Sequence, residues 1–391
     1  MKTGVILKQL LAGIFLILLV SNGGLAAPNS SLIAELSELD VFHPPGEEDP
    51  AYLYNEWHYF NVIDEEQNLS IVCTFKLNGA INAAEVLLGY SANATPDSFF
   101  GVYPIVPGLV NYSSASPNVT VSNSNVTLTD EGYDVHIESD NGAKVFDALF
   151  IPEVEPAPVY NVSGVPEPGT EINWLVASTK MKVNGTLTVD GQTYALDNKR
   201  GYHDHNWGYW SWGDDLGWDW GQVTQIDSVS NESDVGEYSL SFGNITNASH
   251  TQSALSVLNV WQGENITASF SGEDLRIEHH NLTYVNENVT VPYQGIVLPA
   301  ASFPLPMEAN ISASNSSSPD TNNLEIGFIT QQSVPLPVVI IDGSGNIKYR
   351  VIWEMIGTYQ VNGTIAGNPV SYTANGFMEY VSGVPTSPVA S

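Results

Sequence analysis

After its leader, this chain consists of short runs of β-branched and aromatic residues, each ended by a turn signal, with no long stretch at helical spacing. Ser70-Ile-Val-Cys-Thr-Phe75, Thr186-Leu-Thr-Val189 and Tyr349-Arg-Val-Ile-Trp353 are such runs, and Asp140-Asn141-Gly142, Asp190-Gly191 and Asp342-Gly343 are such turns. Branched and aromatic side chains fit a pleated, half-buried surface, while Asn-Gly and Asp-Gly supply the positive φ angles of tight hairpins. Strands this short are stable only when they pack sheet on sheet or close on themselves, so the chain is all-β, a sandwich or barrel.

An internal repeat sharpens that choice. Val183-Asn-Gly-Thr186 returns as Val361-Asn-Gly-Thr364, each followed by a turn and then by Tyr194 or Tyr372. Gly201-Tyr-His-Asp-His205 and Gly376-Phe-Met-Glu-Tyr380 then match as glycine, aromatic, variable, acid, ring. Upstream, Trp57-His-Tyr59 is echoed by Trp218-Asp-Trp220. A spacing of about 170 residues is too long for a solenoid and suits a duplicated domain. The expectation is two antiparallel barrels, 48–212 and 213–384, between an N-terminal segment 27–47 and a tail 385–391. Residues 201–208 and 376–380 should occupy equivalent strands.

The first residues are an address. Lys2 and Lys8 precede the apolar run Leu10 to Val20 and the small residues ending at Ala27, which predicts a signal peptide over 1–26. Seventeen of the 34 asparagines begin Asn-x-Ser/Thr, among them Asn93, Asn118, Asn184, Asn247, Asn288 and Asn362. That density predicts an N-glycosylated outer surface on a secreted or cell-envelope protein, with Asn184 and Asn362 in equivalent exposed turns. One cysteine excludes a disulfide scaffold, and Cys73 reads as an inert buried thiol.

Charge narrows the partners. Eleven Lys and Arg stand against 43 Asp and Glu, a net charge of -32. No basic stripe is available to neutralise phosphates, which argues against nucleic acid and against an anionic membrane. Neutral, apolar or cationic ligands are favoured. The chain has no glycine-rich phosphate loop, no Gly-x-Ser-x-Gly elbow and no zinc-type cysteine pair.

The unusual chemistry is concentrated between the two repeats, where five of the nine tryptophans lie within residues 207–220. On a strand over 200–207, His203, His205 and Trp207 share one face, and Tyr202, Asp204 and Asn206 share the other. Trp218 and Trp220 likewise face together, with Asp219 opposite. Burial among such rings raises a carboxyl pKa and lowers an imidazole pKa, the condition for a general acid at neutral pH. The competing reading makes Arg200, Asp204 and Asn206 a structural hydrogen-bond network between barrels. His203-x-His205 has metal-ligand spacing, but His279-His280 has no spacing that points to it, so no metal and no cofactor are assigned. His43, His136 and His250 read as exposed turn residues.

Tyr202-His-Asp-His-Asn-Trp-Gly208, with Gly217-Trp-Asp-Trp-Gly221 and the distant Asn55-Glu-Trp-His-Tyr-Phe60, resembles the carotenoid 1,2-hydratase family, also called hydroxyneurosporene synthase or the CrtC/AttH-like group. The resemblance spans nearly all of the chain beyond the leader. It implies two lipocalin-like barrels in tandem and cofactor-free, acid-catalysed hydration of an isoprenoid or other apolar alkene. It assigns proton donation to Asp204 or Glu56 and orientation of water to His205. Trp57, Tyr59, His203, Trp207, Trp218, Asp219 and Trp220 then surround the substrate. His58 departs from the tryptophan that many relatives carry there. A larger departure is Tyr238-Ser-Leu240, which has Leu240 where hydratases place an acid, although Glu237 is adjacent. Two functions remain open: an enzyme acting on an apolar lipid, and a non-catalytic lipid carrier or envelope protein. In either case these residues are expected to meet in one concave, apolar place near the barrel junction.

Overall fold

The computed structural model describes residues 30–382 except 48, 164–169, 214, 226–237, 286–288, 291–296, 299–302, 316–320 and 342–346. The expected signal peptide and tail, together with Glu237, Asn288 and Asp342-Gly343, lie outside the described residues.

A first antiparallel sheet is built from β1 (Tyr54–Asp64), β2 (Leu69–Asn78), β3 (Ala83–Ala92), β4 (Thr95–Pro104), β5 (Val110–Tyr112), β6 (Asn118–Val121), β7 (Ser124–Thr129), β8 (Gly132–Glu138), β9 (Lys144–Pro152), β10 (Ala157–Ser163), β11 (Glu171–Val189) and β12 (Gln192–Tyr209). The other half contributes β13 (Gly217–Thr224), β14 (Tyr238–Thr246), β15 (Ser253–Gln262), β16 (Asn265–Ser271), β17 (Leu275–Val285), a small pair β18 (Val289–Thr290) and β19 (Val297–Leu298), β20 (Phe303–Ser314), β21 (Asn323–Ile341), β22 (Ile347–Ile365) and β23 (Asn368–Val381).

The first sheet runs β4-β3-β2-β1-β12-β11-β9-β8-β7-β6-β5, with β10 on β11, and the second runs β16-β15-β14-β13-β23-β22-β21-β20-β17. These are the same order twice. Each half places its last strand, β12 or β23, between its first strand and the long strand before it. Gly201 pairs with Val62 and Gly376 with Val223, so 201–208 and 376–380 occupy equivalent strands. Counting back from those pairs, Tyr59 corresponds to Trp220, His58 to Asp219, Asp204 to Glu379 and His205 to Tyr380. Both sheets curl around their own cores, and the fold is a tandem of lipocalin-like barrels, one nearly closed and one more open.

Local chemistry explains the frame. The β11–β12 hairpin turns at Asp190 and Gly191 (φ 49° and 84°), and the β22–β23 hairpin at Ala366 and Gly367 (φ 50° and 80°). Two successive positive φ angles give the turn whose twist matches paired strands. The repeated Asn-Gly pairs are different: Asn184 lies inside β11 and Asn362 inside β22, not in turns. A Cβ on Gly185 would stand 2.0 Å from Asp147 O, and one on Gly363 2.1 Å from Asn323 O. Asn-Gly therefore marks a close approach of the neighbouring strand. Asn362 is exposed, but Asn184 Nδ2, the atom a glycan would occupy, is buried.

One element was not foreseen. Ser30–Leu39 forms a helix, α1, whose Leu32 and Leu36 lie one turn apart and are buried in the first barrel's core. The helix delivers the next residue, Asp40, into the interior.

Between the barrels runs a third core. It contains Trp174, Trp210, Trp212, Trp218, Trp220 and Trp261, six of the nine tryptophans, with Tyr59, Tyr202 and Phe377. Each large aromatic removes about 150–250 Å² from water, so this seam is a dry joint comparable to a domain core. Cys73 is a buried free thiol on β2.

Gly208 has φ 142°, and a Cβ there would stand 2.1 Å from Glu171 O. Gly208→Ala should therefore cost more than about 1 kcal/mol in urea unfolding. Gly327→Ala, with no atom within 4 Å of its Cβ, should stay within about 0.5 kcal/mol of the parent.

Candidate functional site

Side chains alternate along β12, and the alternation divides the expected site between two compartments. His203, His205 and Trp207 point into the first barrel. There His203 Nε2 lies 2.9 Å from Asp40 Oδ2, and His205 Nδ1 lies 2.8 Å from Asp40 Oδ1. His205 Nε2 is 2.8 Å from Glu56 Oε1. Tyr133 donates to Asp40 (2.7 Å), Tyr54 donates to Glu56, and His203 Nδ1 donates to Tyr59 O (2.9 Å). His58 stacks on His205 at 3.9 Å, and the partly buried His43 stacks on Trp207 at 3.7 Å.

Asp40, Glu56, His58, His203 and His205 are all buried. An imidazole whose two nitrogens both face carboxylates must be an imidazolium. Burial opposes that charge, but hydrogen bonds to Asp40 and Glu56 raise His205 to about 9. Burial likewise opposes ionisation of Glu56, yet His205 and His43 hold it at about 2. Asp40, against the same burial, is held well below the usual range by His203 and His58. Burial and the His205 charge press His58 down to about 4. Glu56 is thus a locked carboxylate with no proton to give, and His205 is a salt-bridged cation beneath the α1 plug. The expected donor role of Glu56 and water-orienting role of His205 do not fit this geometry.

The outward face of β12 enters the seam between the barrels. Asp204 accepts hydrogen bonds from Trp174 Nε1 (2.9 Å) and Tyr202 OH (2.7 Å), and Trp220 Nε1 donates to Tyr202 OH (3.1 Å). Tyr59 on β1 crosses to the second barrel and donates to Glu354 Oε1 at 2.6 Å. Glu354 stands directly across from Glu379 in the β22–β23 register. Like charges so placed repel, and burial adds a further penalty. Burial pushes Asp204 up to about 7, with the Glu379 charge adding to it and the Trp174 and Tyr202 bonds opposing. Burial also pushes Glu354 to about 7 and, together with the Glu354 charge, Glu379 well above the usual range. Three carboxyls therefore meet in a dry aromatic seam and carry protons near neutral pH.

Beside them lies a narrow, largely apolar crevice between the barrels, walled by Val72, Leu87, Tyr90, Leu336, Ile356 and Phe377, with Glu354 on its surface. Asp204 is not part of this lining. Trp218 and Trp220 face the seam as expected, and Trp57 packs there against Trp210 and Trp212. His203 and Trp207 lie in the first barrel, on the other side of the sheet from the crevice. Arg200 does bridge the barrels, donating to Thr224 O (2.9 Å) while pairing with Glu65 (2.8 Å).

Asp219, expected among the substrate-binding residues, points the opposite way from Trp218 and Trp220, into the second barrel. There it meets His250 and His279. His250 has turn backbone (φ 53°) but a buried side chain, and His136 lies on β8 against Asp147, so neither is an exposed turn residue. Leu240 lies in the second barrel's core, which leaves no acid at that position.

Sequence reading missed Asp40, Glu354 and Glu379. Glu379 had a signal, since it is the acid that matches Asp204 in the repeat. Asp40 and Glu354 sit in no motif, and only folding brings them to the site.

No protein-family model matches the chain, and no curated protein matches its sequence. Solved structures do share its fold. An AttH-like protein of Nitrosomonas europaea aligns with TM-score 0.56 and 12% identity over 88% of this chain and 98% of its own. Kievitone hydratase of Nectria haematococca aligns at 0.51 and 15% over 88% and 93%. CghA with Sch210972 aligns at 0.53 and 10% over 91% and 98%. At such identities the likeness is one of fold.

The titrating groups set a pH dependence. Asp204, Glu354 and Glu379 have raised pKa values, so their stabilisation is full below about pH 4 and is lost as pH rises, through about 7 for Asp204 and Glu354. His205 behaves the same way, losing its contribution through about pH 9. Asp40, Glu56 and His58 have lowered values and lose theirs on the acid side. Melting temperature should therefore fall between about pH 4.5 and 9, with Asp204 and Glu354 acting up to about 7 and His205 from about 6.5 to 9. Glu354→Gln should flatten the part of that fall below about pH 7, as calorimetry across the range would record.

Proposed function

We propose that this chain is an exported, hydratase-like enzyme that needs no cofactor and acts on an apolar, alkene-bearing substrate held between the two barrels. The observation that carries this reading is Glu354: a carboxyl that holds its proton near neutrality, on the wall of an apolar crevice, aimed by the Tyr59 hydroxyl. An acid that must protonate a carbon–carbon double bond needs this combination, because water in the site would take the proton first. Burial and the Asp204 charge support it by disfavouring ionisation, against the hydrogen bonds from Tyr59 and Glu379.

Glu354 transfers its proton to the less substituted carbon of a trisubstituted alkene, leaving a tertiary carbocation. A water molecule adds to the cation and returns a proton to the Glu354 carboxylate, so the acid is regenerated and the net reaction is addition of water. The faces of the seam aromatics, each worth about 0.5–2 kcal/mol to a desolvated cation, favour the charged intermediate. In this reading Asp204 is a positioning residue and not the donor, because Trp174 and Tyr202 both hold its Oδ2 and, unlike Glu354, it does not line the crevice. That same commitment is what favours the second reading, a lipid carrier without catalysis, if Glu354 also proves purely structural.

The leader and the acidic surface support export, and a crevice walled mostly by apolar side chains supports an apolar lipid. The sequons support glycosylation at exposed positions such as Asn93 and Asn362 rather than at Asn184.

Incubation with geranylgeraniol and squalene, followed by mass spectrometry for addition of one water, tests the reading. Glu354→Gln should lower turnover by about 10²–10⁴-fold while quenching of seam tryptophan fluorescence by the alkene persists. Quenching without turnover in the parent protein would favour the carrier, and absence of both would end the proposal.

A further inference from the structure

The second barrel holds a cluster that the hydration chemistry does not use. Asp219 on β13, His250 in the turn between β14 and β15, and His279 on β17 converge from three separate segments. His250 Nδ1 lies 2.9 Å and His279 Nε2 3.0 Å from one oxygen, Asp219 Oδ1. We propose that these three side chains bind a divalent transition-metal ion of the zinc class, and that the ion pins the second barrel together at one rim.

The spacing fits an ion. Ligand atoms about 2.0–2.1 Å from a shared tetrahedral ion stand about 3.3 Å apart, so the 2.9 and 3.0 Å separations need to open by only a few tenths of an ångström to admit one. The hydrogen bonding around the cluster fits as well. His250 Nε2 donates to Val381 O at 2.7 Å, which leaves Nδ1 as the nitrogen free to ligate. Despite its closeness to Asp219, that Nδ1 makes no hydrogen bond, and the His250 side chain is only 4% exposed. Asn244 Nδ2 donates to Asp219 Oδ2 at 2.8 Å, fixing the carboxylate so that Oδ1 faces the two rings. Metal-bound histidines and carboxylates are characteristically held by such outer hydrogen bonds. Tyr380 stacks on His250 at 4.1 Å and shields one side. Two imidazoles and one carboxylate are borderline donors, which select zinc-like ions over magnesium or calcium.

Sheet topology shows what the ion would accomplish. The second sheet ends in β17 on one side and in β15 and β16 on the other. His279 sits on the β17 edge, His250 at the opposite flank, and Asp219 on the central β13. An ion shared by all three joins the two ends of an open sheet, as strand hydrogen bonds do in a closed barrel. The equivalent interior position of the first barrel is His58, so both halves place metal-ligand chemistry there but complete it differently.

Full-length protein stripped with chelator and reloaded with Zn²⁺ should retain about one ion per chain after dialysis and melt about 5 °C higher than the stripped form. Co²⁺ used in place of zinc should develop visible absorption bands. His279→Gln, on a partly exposed edge, should abolish both the bands and the chelator-dependent shift, while His280→Gln, at its exposed neighbour, should leave them intact. Retention of the ion by His279→Gln would overturn the assignment and move binding to the histidines of the first barrel. Failure of the parent to bind either ion at micromolar concentration would overturn it outright. If His279→Gln does not fold, anomalous scattering at the zinc edge from parent crystals decides the matter: a peak among Asp219, His250 and His279 supports the site, and its absence there refutes it.

Discussion

The molecule depends on one strand with two dry faces. Over residues 201–208 of β12 successive side chains must point to opposite sides of the sheet, and there neither side is solvent. One face lies in the first barrel's interior and the other in the tryptophan seam. Every ionisable group on this stretch is therefore taken from water and needs a partner or a proton. His203 and His205 take Asp40 and Glu56 as partners, whereas Asp204, without a cation, keeps its proton. The contrast between ion-paired groups inside the barrel and protonated groups in the seam follows from that requirement.

This gives the Asp-His-x-Trp-Gly motif a structural meaning. His205 anchors the Asp40 that follows α1, Trp207 stacks on His43 of the same N-terminal segment, and Gly208 lets the strand pass close to Glu171. Much of the motif thus locks the helical plug into the first barrel. Its Asp204 and Asn206 face the other side of the sheet. A buried charge network of this kind is costly to break, because removing one partner strands the other.

Duplication accounts for the acids of the seam. Asp204 and Glu379 are the same position in the two halves, and the halves are joined so that these positions come near each other. A single buried acid becomes a mutually repelling group once Glu354 joins from β22. Repulsion and burial act in the same direction, and the result is acidity tuned toward neutral pH. The second barrel has kept no counterpart of the His203–His205 pair; Met378 and Tyr380 stand there, and its ionisable cluster gathers on Asp219 instead.

The sequence by itself determined the β class, the duplication, the equivalence of 201–208 with 376–380, and the partition of side chains along β12. These depend on local propensity and on a period of two, which a linear string carries. It also marked Trp218, Trp220 and Tyr59 as companions of Asp204. Only the tertiary structure decided that Glu56 and His205 belong to a different compartment from Asp204, because which face of a sheet meets which neighbour is set by how the barrels close and dock. Asp40 follows a helix too short to show a convincing period, and Glu354 comes from a strand with no motif. Asn-Gly at 184 and 362 looked like turns because the same glycine freedom serves tight turns and close strand approaches alike. His250 looked exposed because its backbone is in a turn, while its side chain reaches inward to Asp219. Contacts between residues far apart in the chain are made by packing, and packing is not written in local pattern.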